Sequence, residues 1–214
     1  MLRLSFAGLD EALTILCIGA HCDDIEIGCG GSILRWAAQY PRARFVWAIF
    51  ASEDGRDAES RAAAQQLLGA ARVEVRFFGF RASYFPAQFA AIKDAFESLK
   101  AIQPALLLTH RLEDRHQDHR VLAELTWNTF RSHTILEYEI PKYEGDLGQP
   151  NVFVPLEAGM LDRKIGTLLE CFPSQRKRRW FTEDTVRAMA RLRGVECDSP
   201  TGFAEAFHAR KLRL

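Results

Sequence analysis

Leu13-Thr14-Ile15-Leu16-Cys17-Ile18-Gly19 runs without a charge into Ala20-His21-Cys22-Asp23-Asp24-Ile25-Glu26. The apolar residues read as a buried strand. The stretch after them places one histidine and three carboxylates in six positions, and a glycine cluster, Gly28-Cys29-Gly30-Gly31, leads out. Open α/β sheets place their sites at strand ends. A fold gains little from crowding acids there, because close carboxylates repel and raise each other's pKa. A bound cation removes that penalty, so the stretch points to a metal site at the end of the first strand.

Outward from this strand the pattern alternates. Further strands are expected at Arg44 to Ala51, Val73 to Phe78, Ala105 to Thr109 and Thr134 to Ile140. Between them lie helices at Ser32 to Tyr40, Arg56 to Leu68, Ala87 to Ile102 and His116 to Phe130. Gly69 stops the second of these, and Pro104 follows the third. Gly28 to Gly31 reads as a turn. Such alternation implies crossover connections and a mostly parallel sheet with helices on both faces. The fold class is therefore α/β, a Rossmann-like three-layer sandwich, with residues 1–214 forming one domain. Pro141 to Pro155, with Gly145, Gly148 and three prolines, reads as an ordered loop near the site. Helices are expected at Glu157 to Cys171 and Thr182 to Arg193. An extended piece near Ala204 to Arg213 is expected to close a sheet edge.

Composition sets the bounds. The 214 residues suit one domain with a substantial core. Basic and acidic side chains balance at 28 each, which gives no reason to expect nucleic acid as a partner. No apolar run approaches the roughly 20 residues of a membrane span. The start, Met1-Leu2-Arg3-Leu4-Ser5-Phe6, lacks a signal peptide's apolar core. No transmembrane segment and a cytoplasmic location are expected. The five cysteines are scattered without a Cys-x-x-Cys pair, which argues against a thiolate zinc site and fits reduced thiols.

The fourth strand ends at Thr109-His110, and His116-Gln117-Asp118-His119 follows a polar loop. In a parallel sheet the ends of strands one and four can face one crevice. That would gather His21, Asp23, Asp24 and Glu26 with His116, Asp118 and His119. A catalytic zinc keeps three protein ligands and leaves a position for water, and two histidines with one carboxylate meet that count.

These residues resemble the PIG-L-type (LmbE-like) de-N-acetylases, which carry Ala-His-Pro-Asp-Asp-x-Glu after the first strand and His-x-Asp-His later. Here the first motif has Cys22 in place of proline, and the second stands intact at His116 to His119. Gly55-Arg56-Asp57-Ala58-Glu59 and Leu68-Gly69 also match. Ser174-Gln175 resembles a Ser-Gln pair that follows a histidine in the family, but the nearest position here is Phe172. The resemblance implies a hydrolase that removes an N-acetyl group from an amino sugar or glycoconjugate. It assigns His21, Asp24 and His119 to zinc, with ferrous iron or cobalt able to take the same ligands. It assigns Asp23 as general base, and His116 as oxyanion stabiliser or acid. Asp118 would orient one of the histidines.

Several features carry two readings. Arg56 either binds a substrate hydroxyl or phosphate or pairs with Glu59. The run Arg176-Lys177-Arg178-Arg179 is a solvated face or meets the diphosphate of a lipid- or nucleotide-linked sugar. The loop with Tyr138, Glu139, Lys142, Tyr143 and Glu144 suits sugar recognition or a homo-oligomer contact. His110 reads as a structural or supporting histidine. Glu26 is expected to cap backbone amides or hold a ligand in place. A thiol at Cys22 beside a metal would make the site oxidation-sensitive. The glycine run fails as a dinucleotide fingerprint, because Ile33 stands where the third glycine belongs. Rival functions are hydrolysis of another amide, such as a thiol-sugar conjugate, and a non-catalytic protein that holds a sugar nucleotide.

Overall fold

β1, Thr14–Gly19, is buried from its second residue onward and is an interior strand of the sheet. Its residues alternate between two apolar layers. Ile15 and Cys17 pack on one face with Leu67, Ile165 and Leu168, while Leu16 and Ile18 pack on the other with Ile92, Phe96 and Leu122. The computed structural model describes Ser5, residues 13–53 and residues 55–212.

Six further strands follow among the described residues: β2 Arg44–Ile49, β3 Val73–Phe77, β4 Leu106–His110, β5 Thr134–Tyr138, β6 Val152–Pro155 and β7 Ala204–His208. The helices are α1 Asp24–Gln39, α2 Arg56–Leu68, α3 Phe89–Leu99, α4 Gln117–Thr129, α5 Ala158–Cys171 and α6 Glu183–Glu196. The sheet order is β3-β2-β1-β4-β5-β7-β6. β1 to β5 pair in parallel, whereas β7 runs antiparallel to both neighbours. The α/β sandwich with a mostly parallel sheet is therefore the observed architecture. The chain winds from β1 toward β3 on one side and from β4 toward β5 on the other. The β1/β4 boundary is thus the switch point, whose carboxyl end forms a crevice in open sheets.

Three elements differ from the sequence expectation. The C-terminal strand does not close an edge: β7 lies between β5 and β6, and the edge is β6, drawn from the segment expected to be loop. Four residues bounded by a proline give too short an alternation to read as a strand. The glycine cluster is not a turn but lies within α1, with a kink at Cys29 (φ −146°, ψ 15°). Packing explains why helix-poor glycine is present. A Cβ on Gly28 would stand 2.3 Å from the Tyr138 ring, and one on Gly31 would stand 2.5 Å from Leu156. The amides freed by the kink are taken up by the last strand. Gly31 N–H donates to Glu205 Oε1 at 2.8 Å, and Ser32 N–H donates to Oε2 at 2.6 Å. Lys164 from α5 balances that carboxylate at 2.6 Å. Finally, α3 is shorter than expected, with tight 3₁₀ turns at both ends.

Candidate active site

The turn after β1 ends on Asp24, the first residue of α1, and β4 ends on His110. His21 N–H donates to Asp24 Oδ2 at 2.7 Å, which folds the turn back on itself. Across the switch point, α4 begins with His116 as its N-cap and brings His119 in from its first turn. The ends of β1 and β4 thus share one crevice.

Three atoms there form a near-equilateral triangle. His21 Nδ1 lies 3.3 Å from Asp24 Oδ2 and 3.3 Å from His119 Nε2, and the last two are 3.5 Å apart. Tetrahedral zinc with bonds of about 2.0–2.1 Å separates its ligands by about 3.3 Å, so the donor set fits such an ion in spacing and chemistry. The outer nitrogens fit as well. His21 Nε2–H donates to Asp118 Oδ2 at 3.3 Å, and His119 Nδ1–H donates to Asp114 Oδ2 at 2.9 Å. Each histidine therefore turns one ring nitrogen toward the triangle while a carboxylate holds the other, the arrangement that fixes tautomer and ring in metal sites.

The electrostatics follow from this crowding. Burial opposes the charge on Asp24, but His119, His110 and His21 outweigh it and hold the carboxyl well below its ordinary range. Burial, helped by neighbouring His110, lowers His119 to about 3, so its imidazole is neutral, as a ligand must be. Burial also opposes charge on His21, yet Asp24, Asp118 and Asp23 raise it to about 10.

Asp23 is not a corner of the triangle. Its Oδ1 accepts Arg56 Nη2–H at 2.7 Å. Burial, reinforced by the charge of Asp24, raises its carboxyl above the ordinary value against the pull of Arg56 and His21. Arg56 thus has a main partner that the sequence reading did not name; Glu59 is more distant at 3.8 Å. Glu59 instead accepts from the backbone N–H and hydroxyl of Ser174 at 3.0 and 2.6 Å. Phe172, near where the family carries a histidine, is a fully buried core residue.

His116 Nδ1 accepts Asp118 N–H at 3.3 Å, which leaves its Nε2 to carry the proton. Its ring stands edge-on to His21 at 5.0 Å, and burial with the charge of His21 lowers its pKa. Asp118 also accepts Ser83 N–H at 2.5 Å and Phe85 N–H at 3.1 Å. Ser83 holds a positive φ of 66° to aim that amide.

Asp114 escaped the sequence reading, although an aspartate two residues before a helix N-cap is a recognisable turn signal. Its Oδ1 accepts His116 N–H at 2.8 Å. His110, read as structural or supporting, is buried with Nε2 3.2 Å from Asp24 Oδ2 and its ring stacked 3.9 Å from His119. Two expectations fail. Glu26 caps nothing: both its buried carboxylate oxygens lack a hydrogen-bond partner, and burial pushes its pKa well up. Cys22 is not an exposed thiol either. Its S–H donates to the Ala51 carbonyl at 3.4 Å, and burial pushes it up to about 12, so it is not a reactive thiolate. In the basic run, Arg176 is bonded to the Leu169 carbonyl, while Lys177, Arg178 and Arg179 are exposed.

With this geometry in hand, similarity to known proteins is informative. Residues 16–130 match the family PIG-L, GlcNAc-PI de-N-acetylase. An uncharacterized deacetylase, YaiS, of Escherichia coli strain K12 is 32% identical over 136 residues, covering 59% of this chain and 74% of the relative. Among solved structures, the N,N'-diacetylchitobiose deacetylase of Pyrococcus horikoshii has a TM-score of 0.74 at 20% identity, covering 94% of this chain and 85% of that one. The 4-carboxy-2-hydroxymuconate hydratase GalB of Pseudomonas putida KT2440 has a TM-score of 0.77 at 18% identity, covering 94% and 98%. These two structures share the fold and differ in chemistry, so activity has to be argued from the site.

Proposed function

Because the chain belongs to the PIG-L family of GlcNAc-PI de-N-acetylases, we propose that it is a zinc-dependent amidohydrolase that removes an N-acetyl group from an amino sugar or glycoconjugate. The observation that carries the reading is the triangle of His21 Nδ1, Asp24 Oδ2 and His119 Nε2 at 3.3 to 3.5 Å. A zinc ion held by these three residues would supply an acidified water and polarise the amide carbonyl. Ferrous iron or cobalt would suit the same donors.

The chain's own groups then divide the work. Asp23, raised above an ordinary carboxylate yet held by Arg56, takes the proton of the attacking water. A base tuned toward the working pH in this way contributes about 10²–10⁴-fold. His116 presents Nε2–H to the oxyanion or to the departing amine, since its Nδ1 is occupied by Asp118 N–H. Asp118 and Asp114 fix the rings of His21 and His119. Arg56, beside its bond to Asp23, is the residue this reading assigns to binding the sugar. Acetate and the free amine leave. Residues 1–214 act as one catalytic unit in this reading. A cytoplasmic location agrees with five unpaired cysteines, and no helix among the described residues is long and apolar enough to cross a membrane.

The test is metal analysis of freshly purified protein alongside acetate release from a panel of N-acetylhexosamine derivatives, free, phosphorylated and lipid-linked. Zinc near one per chain with acetate release that a chelator abolishes is the expected result. Full turnover in demetallated protein would sink the mechanism. Bound zinc with no amide hydrolysed would favour the non-catalytic sugar-binding alternative.

A further inference from the structure

Lys142 and Asp146 lie in the loop after β5, outside both histidine motifs. The Lys142 side chain is only 8% exposed. Its ammonium donates to Asp114 Oδ2 at 3.0 Å and to both Asp146 oxygens at 2.7 Å. Asp146 is anchored in turn. Arg115 N–H donates to its Oδ2 at 2.6 Å, and Arg111 Nη1–H donates to its carbonyl at 2.7 Å. The loop is thus bolted to the β4–α4 turn at three points.

Asp114 is the point where that bolt meets the site. One of its oxygens takes the His116 backbone amide and the other takes His119 Nδ1–H, so a single buried carboxylate sets both histidines. Lys142 shares the same oxygen as His119. A buried carboxylate needs a cation and full hydrogen bonding to keep one position, and Lys142 supplies both from a different loop. The sequence reading left the loop with Lys142 to sugar recognition or a homo-oligomer contact, but the Lys142 ammonium is engaged by Asp114 and Asp146.

We propose that Lys142 and Asp146 are positioning residues that act through Asp114 on His119 and so set the affinity of the metal centre. The inference rests on the metal-centre reading above. Groups that orient a metal-bound histidine typically change affinity by about 10–100-fold when lost.

The sign of the effect separates positioning from charge. Removing a positive charge near a dication, by itself, tightens binding. A weaker K142M variant would therefore report the lost hold on Asp114 and not the altered field. Zinc affinity of the full chain, measured by competition with a chromophoric chelator, should fall about 10–100-fold in K142M. The visible d–d bands of the cobalt(II)-loaded variant should shift too, because His119 is presented at a different angle. A zinc affinity in K142M within about twofold of the parent chain, or tighter, overturns the proposal, since it lies outside the range for orienting groups. If K142M does not fold, D146N decides through the cobalt bands: it keeps the ammonium on Asp114 but weakens its second anchor, and because losing a negative charge near a dication lowers affinity by itself, the bands and not the affinity are the readout. Shifted cobalt bands in D146N support the proposal, and unchanged bands would overturn it. A parent chain that binds no zinc refutes the metal-centre reading itself, which is a distinct failure.

Discussion

Replacing Arg56 by Met removes the guanidinium that donates to Asp23 Oδ1 at 2.7 Å while keeping a side chain of similar length. The Asp23 side chain is 7% exposed and that of Arg56 is 23% exposed, so the pair is mostly but not wholly shielded from water. Two unit charges about 4 Å apart at an effective dielectric of about 20 interact by about 4 kcal/mol, equivalent to about three pH units. Water at the exposed side of Arg56 screens part of this, which leaves a shift of about one to two units. Arg56 lowers the Asp23 pKa, so its loss raises it. A general base works only when ionised, so the acidic limb of kcat should move up by about one to two pH units in R56M, with the alkaline plateau largely kept. The assay is acetate release from the best N-acetyl substrate between pH 5 and 9. Any role of Arg56 in gripping the sugar would appear separately, as a rise in KM at all pH values. An acidic limb that stays where it was, with only KM altered, would refute the claim that Arg56 tunes Asp23.

Further outcomes follow from the same geometry. Asp23→Asn should keep zinc yet lose about 10²–10⁴-fold in kcat, checked by metal analysis beside acetate release; parallel loss of metal would make Asp23 a ligand. His21, raised to about 10 without metal, is protonated at neutral pH, so zinc uptake should expel a proton and strengthen as pH rises. Calorimetry in buffers of different ionisation enthalpy measures that proton, and no buffer dependence would count against His21 as ligand. Gly28→Ala drives a Cβ to 2.3 Å from the Tyr138 ring. Overpacking should cost about 1–3 kcal/mol net of helix propensity, seen as a lower midpoint in urea, and an unchanged or higher midpoint would be contrary. Iodoacetamide should leave activity intact, because Cys22 is buried and bonded to Ala51; rapid inactivation with label at Cys22 would contradict this.

Periodicity made the first five strands and their crossover helices legible, because β1, β2, β4 and β5 are apolar runs buried on both faces and the half-buried β3 alternates Val73, Val75 and Phe77. It missed β6, whose four residues are too few to establish a pattern. It misread the glycine cluster because the reason for those glycines, Tyr138 and Leu156, lies more than a hundred residues away. At the site, the histidines and acids of the two motifs were legible and stand together in the crevice. Asp114, Lys142 and Asp146 were not, because a carboxylate that holds a histidine looks like any surface acid until the loops are in place. Arg56 was seen but not its main partner, Asp23, which is distant in sequence and adjacent only once β1 and β2 lie side by side.

The kink in α1 ties the first histidine motif to residues far along the chain. The segment that matches the family ends at residue 130, yet the amides of Gly31 and Ser32 find their acceptor on Glu205, and that carboxylate finds its cation on Lys164. A chain cut after residue 130 would contain every residue of both histidine motifs and still leave those two buried amides without their acceptor.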